Sequence, residues 1–138
     1  MADFYQNGII TTLHNLTDRP VEELEKELMS FSRVRPMSLV LPSLYSELSG
    51  PALENIISDV AKVPYLNEIV IGLDRADESE YQHAREFFDR LPQHHRILWN
   101  DGPRLRKIDE LLKKEGLAPK EMGKGRNVWY CYGYVLAS

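Results

Sequence analysis

The chain has 138 residues, 43% hydrophobic and 28% charged, with a formal net charge of −4. That length suits one domain with a real core, and the composition sets aside disordered, collagen-like and coiled-coil classes. The mild acidity argues against a general nucleic-acid or anionic-membrane binder, although a local basic patch can still take a phosphate. The single cysteine, Cys131, excludes an intrachain disulfide and a paired-cysteine metal site, and suits a reducing compartment. No apolar run reaches the ~18 residues of a membrane span. The N-terminus lacks the basic-then-apolar layout of a signal peptide, so a cytoplasmic protein is expected.

In chain order, Gly8 to Leu13 reads as a short strand or a packed arm. Asp18-Arg19-Pro20 opens a helix: Asp18 can cap it and Pro20 suits a first turn. Glu22 and Glu23 favour its positive end, and Val21, Leu24 and Leu28 form an apolar stripe. Met37 to Leu41 is a short apolar strand, stopped by Pro42. Gly50-Pro51 begins a helix with Leu53, Ile56, Ile57, Val60 and Ala61 on one face. A second apolar strand, Glu68 to Leu73, ends at Asp74. Glu78 to Leu91 is helical, with Tyr81, Ala84, Phe87, Phe88 and Leu91 on one side. Arg96 to Trp99 is a third strand. Asp101-Gly102-Pro103 caps the next helix, whose apolar positions are Leu105, Ile108, Leu111 and Leu112, and Gly116 ends it. After a loop from Pro119 to Gly125, Arg126 to Ala137 forms a last helix with Val128, Cys131, Tyr132, Val135 and Leu136 inward.

Residues 37–115 therefore alternate strand and helix three times. Continuous apolar strands imply burial on both faces, and the alternation implies a parallel sheet with right-handed crossovers. The predicted class is α/β: a Rossmann-like, three-layer α/β/α domain with a mostly parallel sheet, over residues 37–138. Residues 1–36 read as an N-terminal extension with one helix.

Ligands of such sheets bind outside the carboxyl ends of the strands. The first such place is Pro42-Ser43-Leu44-Tyr45-Ser46-Glu47. Leu44 or Tyr45 can pack on a nucleobase there, while backbone groups and Glu47 read its edge. The same residues also read as a plain helix start capped by Ser46 or Ser49. The second is Asp74-Arg75-Ala76-Asp77. Asp74 is placed for a ribose hydroxyl, or else it pairs with Arg75 or a turn amide; Asp77 reads as a helix cap. No Gly-x-Gly-x-x-Gly follows the first strand, which weakens a nicotinamide or flavin reading. The third place is Asn100-Asp101, after the third strand.

Away from the strand ends, Gly123-Lys124-Gly125 before a helix forms a candidate diphosphate cradle, with Arg126 adding charge. The bland alternative is a flexible loop. His94 and His95 point to opposite sides of a strand, which disfavours a shared metal. Cys131 lies on an apolar helical face and reads as a buried structural residue. Of the aromatic cluster around Trp129 and Tyr132, core packing takes part; the rest is available to another domain or subunit.

Taken in order, the Pro42–Glu47 loop, Asp74 and the Gly123-Lys124-Gly125 helix start resemble the nucleotide-binding half of GT-A glycosyltransferases. The likeness is to the family-2-type enzymes and to the glucosyl-3-phosphoglycerate and mannosylglycerate synthase group. It implies that Pro42, Ser43, Leu44 and Glu47 hold the base of a nucleotide sugar, such as UDP-glucose or GDP-mannose. It further implies Asp74 at the base or ribose, and Lys124, with Gly123 and Gly125, at the diphosphate. Tyr45-Ser46 replaces the family's Asn-Glu, and Arg75 stands where the family carries a small polar residue. The implied activity is hexosyl transfer to a small acceptor such as a glycerate derivative.

The family's Asp-x-Asp motif would follow the last helix, where this sequence stops. The Mg²⁺ or Mn²⁺ expected in a full-length enzyme has no motif here, and the chain reads as a domain incomplete at its C-terminus. A missing half or a second copy would pack on the Trp129/Tyr132 helix. Two rival readings are a non-catalytic nucleotide-binding or protein-interaction module and a flavodoxin-like or receiver-like regulator. The latter is disfavoured because the first strand ends in Pro42 rather than an acidic pair.

Overall fold

A computed structural model describes residues 19–121 and 123–137 of the chain. The expected arm at Gly8 to Leu13 and the Asp18 cap lie outside those residues. The described elements are α1 (Val21–Val34), β1 (Met37–Leu44), a 3-10 turn (Tyr45–Ser49), α2 (Pro51–Val60), β2 (Leu66–Asp74), α3 (Glu78–Phe88), β3 (His95–Trp99), α4 (Pro103–Lys114) and α5 (Lys124–Ala137). None of the described helices is long and apolar enough to cross a membrane.

The sheet is built on β2. Its order is β1-β2-β3, and both pairs are parallel, as the strand–helix alternation predicted. Residues Glu68 to Asp74 are all buried, so β2 is covered on both faces. Side chains alternate across a strand. Ile69, Ile71 and Leu73 therefore share one face, where they form the core with Leu53 and Ile57 of α2, Ala84 and Phe88 of α3, and Leu91. Glu68, Val70 and Gly72 share the other face, which receives α5. There Tyr134 donates to Glu68 Oε1 (3.0 Å), and the side-chain Nδ2 of Asn127 donates to the Gly72 carbonyl (2.7 Å). Helices thus cover both faces, giving the three-layer α/β/α arrangement.

Gly72 decides how closely α5 can approach. A Cβ added there would lie 1.7 Å from Asn127 Oδ1 and 2.7 Å from Cys131 Sγ. Only a residue without a side chain lets these two helical residues rest on the strand. Consequently α5 buries Asn127 and Tyr130, which were not expected inward, together with Cys131, which was, at helical spacings of three and four. Tyr132 and Leu136, expected inward, are 56% and 86% exposed. The helix also begins at Lys124, two residues before the predicted start.

Next to it, α4 is tied down through a buried carboxylate. Asp109 accepts from Tyr130 Oη of α5 (2.5 Å) and from Lys113 Nζ (2.6 Å), with Arg126 3.9 Å away. That polar anchor turns the helix, and Ile108 and Leu111, expected inward, are exposed. The helix ends as predicted at Gly116, which is left-handed (φ 68). The Leu117 amide returns to the Leu112 carbonyl (2.8 Å), closing the six-to-one bond of a glycine-terminated helix.

Other expectations need correction. β1 is not stopped by Pro42 but continues to Leu44, pairing Pro42 with Gly72 and Leu44 with Asp74. Among the described strands β1 is an edge, and a proline whose missing N–H faces away from the neighbour costs the ladder nothing. The helix start at α2 has no serine cap; Gly50 and Pro51 make the entry alone. α3 ends at Phe88, although Leu91 still packs into the core. No residue of α1 is buried, and Val21 of its expected stripe is 65% exposed.

Two measurements check this packing. Gly72→Ala is expected to destabilise the fold by about 1–3 kcal/mol through overpacking against α5; an unfolding free energy within 0.5 kcal/mol of wild type, by urea titration, would contradict the close approach. For Asp109, the Lys113 ammonium first, and then the Tyr130 hydroxyl, hold the carboxyl below its ordinary value, against the opposing effect of burial. The unfolded chain therefore takes up that proton at a higher pH than the folded one. The resulting stability is complete above the ordinary carboxylate pKa of ~4 and is lost as pH falls through the lower folded value. The melting-temperature gap between wild type and Asp109→Asn should be widest at neutral pH and shrink below about pH 4. A gap that stays constant from neutral to strongly acidic pH would sink this account.

Candidate functional site

At the carboxyl ends of β1 and β2, facing the start of α5, lies a cavity of about 230 Å³. β1 and the turn after it contribute Pro42, Ser43, Leu44 and Glu47. The end of β2 contributes Asp74 and Arg75, and the start of α5 contributes Gly123, Lys124 and Asn127. Of the eight residues that the resemblance implies at the nucleotide sugar, all except Gly125 therefore meet at one cavity. Gly125 lines an adjoining open groove with Lys120, Glu121 and Arg126.

The wall from β1 is held by Glu47. Its Oε2 accepts from the Leu44 amide (2.9 Å) and from the Ser43 hydroxyl (3.2 Å). This carboxylate closes the 3-10 turn that follows the strand, so one of its oxygens is committed to the chain itself. Ser43 is 3% exposed, which makes it part of the wall rather than a free hydroxyl. Tyr45 turns away: its hydroxyl meets His83 Nδ1 at 3.1 Å, and the two rings sit edge to face at 5.9 Å. Of the two residues expected to offer a packing surface for a ring, only Leu44 lines the cavity.

The β2 end is more heavily fixed. Asp74 is buried, and its Oδ1 accepts from the Arg75 amide (3.2 Å), the turn-amide alternative weighed for it. Arg75 itself is left-handed (φ 56), a conformation that non-glycine residues enter at a cost. The next residue holds it there. The Ala76 amide donates to Asp101 Oδ2 (3.2 Å), and the Ala76 carbonyl accepts from Trp99 Nε1 (2.8 Å). Asp77 then caps α3, accepting from the Glu80 amide (2.8 Å) while its own amide donates to Glu80 Oε2 (2.8 Å). The Glu80 amide, and next the Ser79 hydroxyl, lower the Asp77 carboxyl from its ordinary value. The third strand end therefore supports the second rather than lining the cavity. Asp101 serves Ala76, and Asn100 is buried with its amide on the Leu73 carbonyl (2.9 Å).

Opposite, Gly123 has φ 150, in a region that only glycine enters freely, and its carbonyl accepts from the Asn127 amide (3.1 Å). Lys124 follows as an exposed first residue of α5. The first turn of a helix carries amides without intrahelical partners and the positive end of its dipole. The arrangement combines an apolar and hydrogen-bonding wall, a buried acid and a cationic helix start. That set suits a ligand with a flat polar ring at one end and an anion at the other.

Two lining residues, Arg75 and Asn127, were not among the candidates. For Asn127 the signal lay in Gly72, a glycine inside an otherwise apolar strand, which marks a close approach. Cys131 is fully buried as expected, and burial pushes its thiol up to about 11, away from reactive thiolate chemistry. His94 Nε2 lies 3.4 Å from Glu68 and His95 Nε2 3.7 Å from Asp89. Among the described residues, no three His, Cys, Asp or Glu side chains gather to hold a metal ion.

No protein-family model and no solved structure matches the chain. Glucosyl-3-phosphoglycerate synthase of Persephonella marina is 44% identical to it over 137 residues, 99% of this chain and 34% of that protein. The synthase of the same name from Methanococcoides burtonii is 38% identical over 133 residues, 95% of this chain and 32% of that protein. The chain is thus similar in sequence to two proteins named glucosyl-3-phosphoglycerate synthase. It spans about a third of the length of the curated relatives it matches. The similarity runs through β1, β2 and the α5 start alike, because the matched stretch covers nearly the whole chain.

The bonds of Glu47 can be tested on their own. Glu47→Ala leaves the Leu44 amide and the Ser43 hydroxyl without this acceptor and should cost about 1 kcal/mol of stability. A variant as stable as wild type in urea would show that the turn does not depend on it.

Proposed function

We propose that the cavity is the donor site of a GT-A glycosyltransferase that moves a hexose from a nucleotide sugar to a glycerate-type acceptor. The carrying observation is that the ends of β1 and β2 and the Gly123-Lys124 helix start, far apart in sequence, line one cavity. The naming of the two relatives as glucosyl-3-phosphoglycerate synthases favours a glucosyl donor and a 3-phosphoglycerate acceptor.

In this reading Pro42, Ser43 and Leu44 bound the nucleobase, with Leu44 packing on its face. Glu47 and backbone groups read its edge. Asp74, already oriented by the Arg75 amide, accepts from the base or a ribose hydroxyl. Lys124 and the first turn of α5 take the diphosphate, where a cation and oriented amides favour negative charge. Gly125 borders open space beside it: a Cβ built there has no neighbour within 4 Å. The described residues of this chain supply binding and orientation of the donor. They offer no ligand set for the Mg²⁺ or Mn²⁺ that the resemblance implies.

The test is calorimetric titration of the whole natural polypeptide with UDP-glucose and GDP-mannose, beside an assay of transfer to 3-phosphoglycerate. Saturable binding of one donor is expected. Lys124→Ala should weaken it about 10-fold, the value of one charge-assisted contact, with the melting temperature unchanged because the residue is exposed. Binding without transfer would favour the non-catalytic module. Absence of any saturable binding would remove the donor-site reading altogether.

A further inference from the structure

We propose that Arg75 is a second phosphate-binding cation of this cavity, a role that rests on the donor-site reading above. Four residues that carry a carboxylate or a cation line the cavity: Glu47, Asp74, Arg75 and Lys124. Their charges cancel formally, but their commitments differ. Asp74 Oδ1 is turned onto the Arg75 amide, and Glu47 Oε2 is shared by the Leu44 amide and the Ser43 hydroxyl. Neither acid forms an ion pair with a described residue. Among the described residues the Arg75 guanidinium and the Lys124 ammonium likewise have no ion-pair partner. The acids are thus oriented by neutral donors of the chain, and the two cations line the cavity without an ion-pair contact among the described residues.

The backbone at Arg75 strengthens the point. It is the one non-glycine residue with a positive φ among those described, at 56. A glycine would hold the same turn without the steric cost of a Cβ. The chain instead keeps a long charged side chain there and fixes the turn from both sides. The Arg75 amide is held by Asp74, and both backbone groups of Ala76 are held by Asp101 and Trp99. Strain retained at a cavity rim is characteristic of functional positions. The guanidinium fork matches two oxygens of one phosphate, which a point charge cannot do.

The phosphate has two chemical sources, the diphosphate of the donor and the phosphomonoester of the acceptor, and the experiment separates them. The whole natural polypeptide and its Arg75→Gly and Lys124→Ala variants are titrated with UDP, GDP and 3-phosphoglycerate. Uridine and guanosine serve as phosphate-free controls. Arg75→Gly suits the left-handed backbone, so its melting temperature should equal or exceed that of wild type. We expect Arg75→Gly to weaken a phosphate-bearing ligand about 10-fold while leaving the matching nucleoside within about twofold. Loss confined to UDP or GDP assigns Arg75 to the donor's diphosphate, and loss confined to 3-phosphoglycerate assigns it to the acceptor; either supports the proposal. Equal weakening of nucleoside and nucleoside diphosphate would overturn it, since Arg75 would then serve the base. Unchanged affinities in Arg75→Gly alongside weakened ones in Lys124→Ala would overturn it and leave the donor-site reading standing. If neither variant alters any affinity, the Arg75 proposal falls, while saturable binding of UDP or GDP by the wild type decides the donor-site reading separately.

Discussion

The contact between Gly72 and Asn127 carries the rest of the structure. β2 must bury both faces, and one of them is closed by α5 lying directly on the strand at a glycine. The Asn127 side-chain Nδ2 donates to the Gly72 carbonyl, and Cys131 packs beside it. That seats the start of the helix, one turn earlier, against the ends of β1 and β2. The cavity wall made by Gly123 and Lys124 is therefore a consequence of a packing constraint in the middle of the sheet. A buried polar bond at such a point adds direction to what apolar burial does without it, because a lone buried amide is costly unless it finds its partner.

A second constraint works through α4. Asp109 is a buried carboxylate between two helices, bonded to Tyr130 and Lys113. Such a group needs its partners, since removing one leaves a charge in a poorly solvated place. It fixes α4 beside α5 and leaves Ile108 and Leu111 exposed. Leu98, Leu105, Ile108 and Leu112 form an apolar groove with Trp129 and Tyr134. Trp129, 44% exposed, lines this groove, whereas Tyr132, 56% exposed, does not.

Around the cavity, the chain uses its acids first for its own backbone. Glu47 closes the turn after β1, Asp74 orients the residue after β2, Asp101 holds Ala76, and Asp77 caps α3. Each is a short side chain meeting an amide that no sheet or helix ladder satisfies. These bonds make the strand ends rigid without help from a ligand. A pre-ordered site loses less freedom on binding, which favours affinity.

The order of strands and helices was legible in the sequence because it follows from hydrophobic periodicity and from prolines and glycines at helix starts and ends. Pro51, Pro103 and Gly116 all stand where their backbone chemistry predicts. The gathering of Pro42, Ser43, Leu44, Glu47, Asp74, Gly123 and Lys124 also matches the rule that such sheets bind at their carboxyl ends. Which face each helix turns inward was not legible. A helix with apolar residues on several sides has more than one candidate stripe, and the choice depends on what it meets. For α5 that was a glycine, so Asn127 went inward and Leu136 outward; for α4 it was the Tyr130 hydroxyl, so Asp109 went inward and Leu111 outward. The edge position of Pro42 and the left-handed turn at Arg75 were equally hidden, because both depend on neighbours distant in the chain. Local periodicity determined the elements and their order; only close packing across the sheet decided their rotation, and with it which charges reach the cavity.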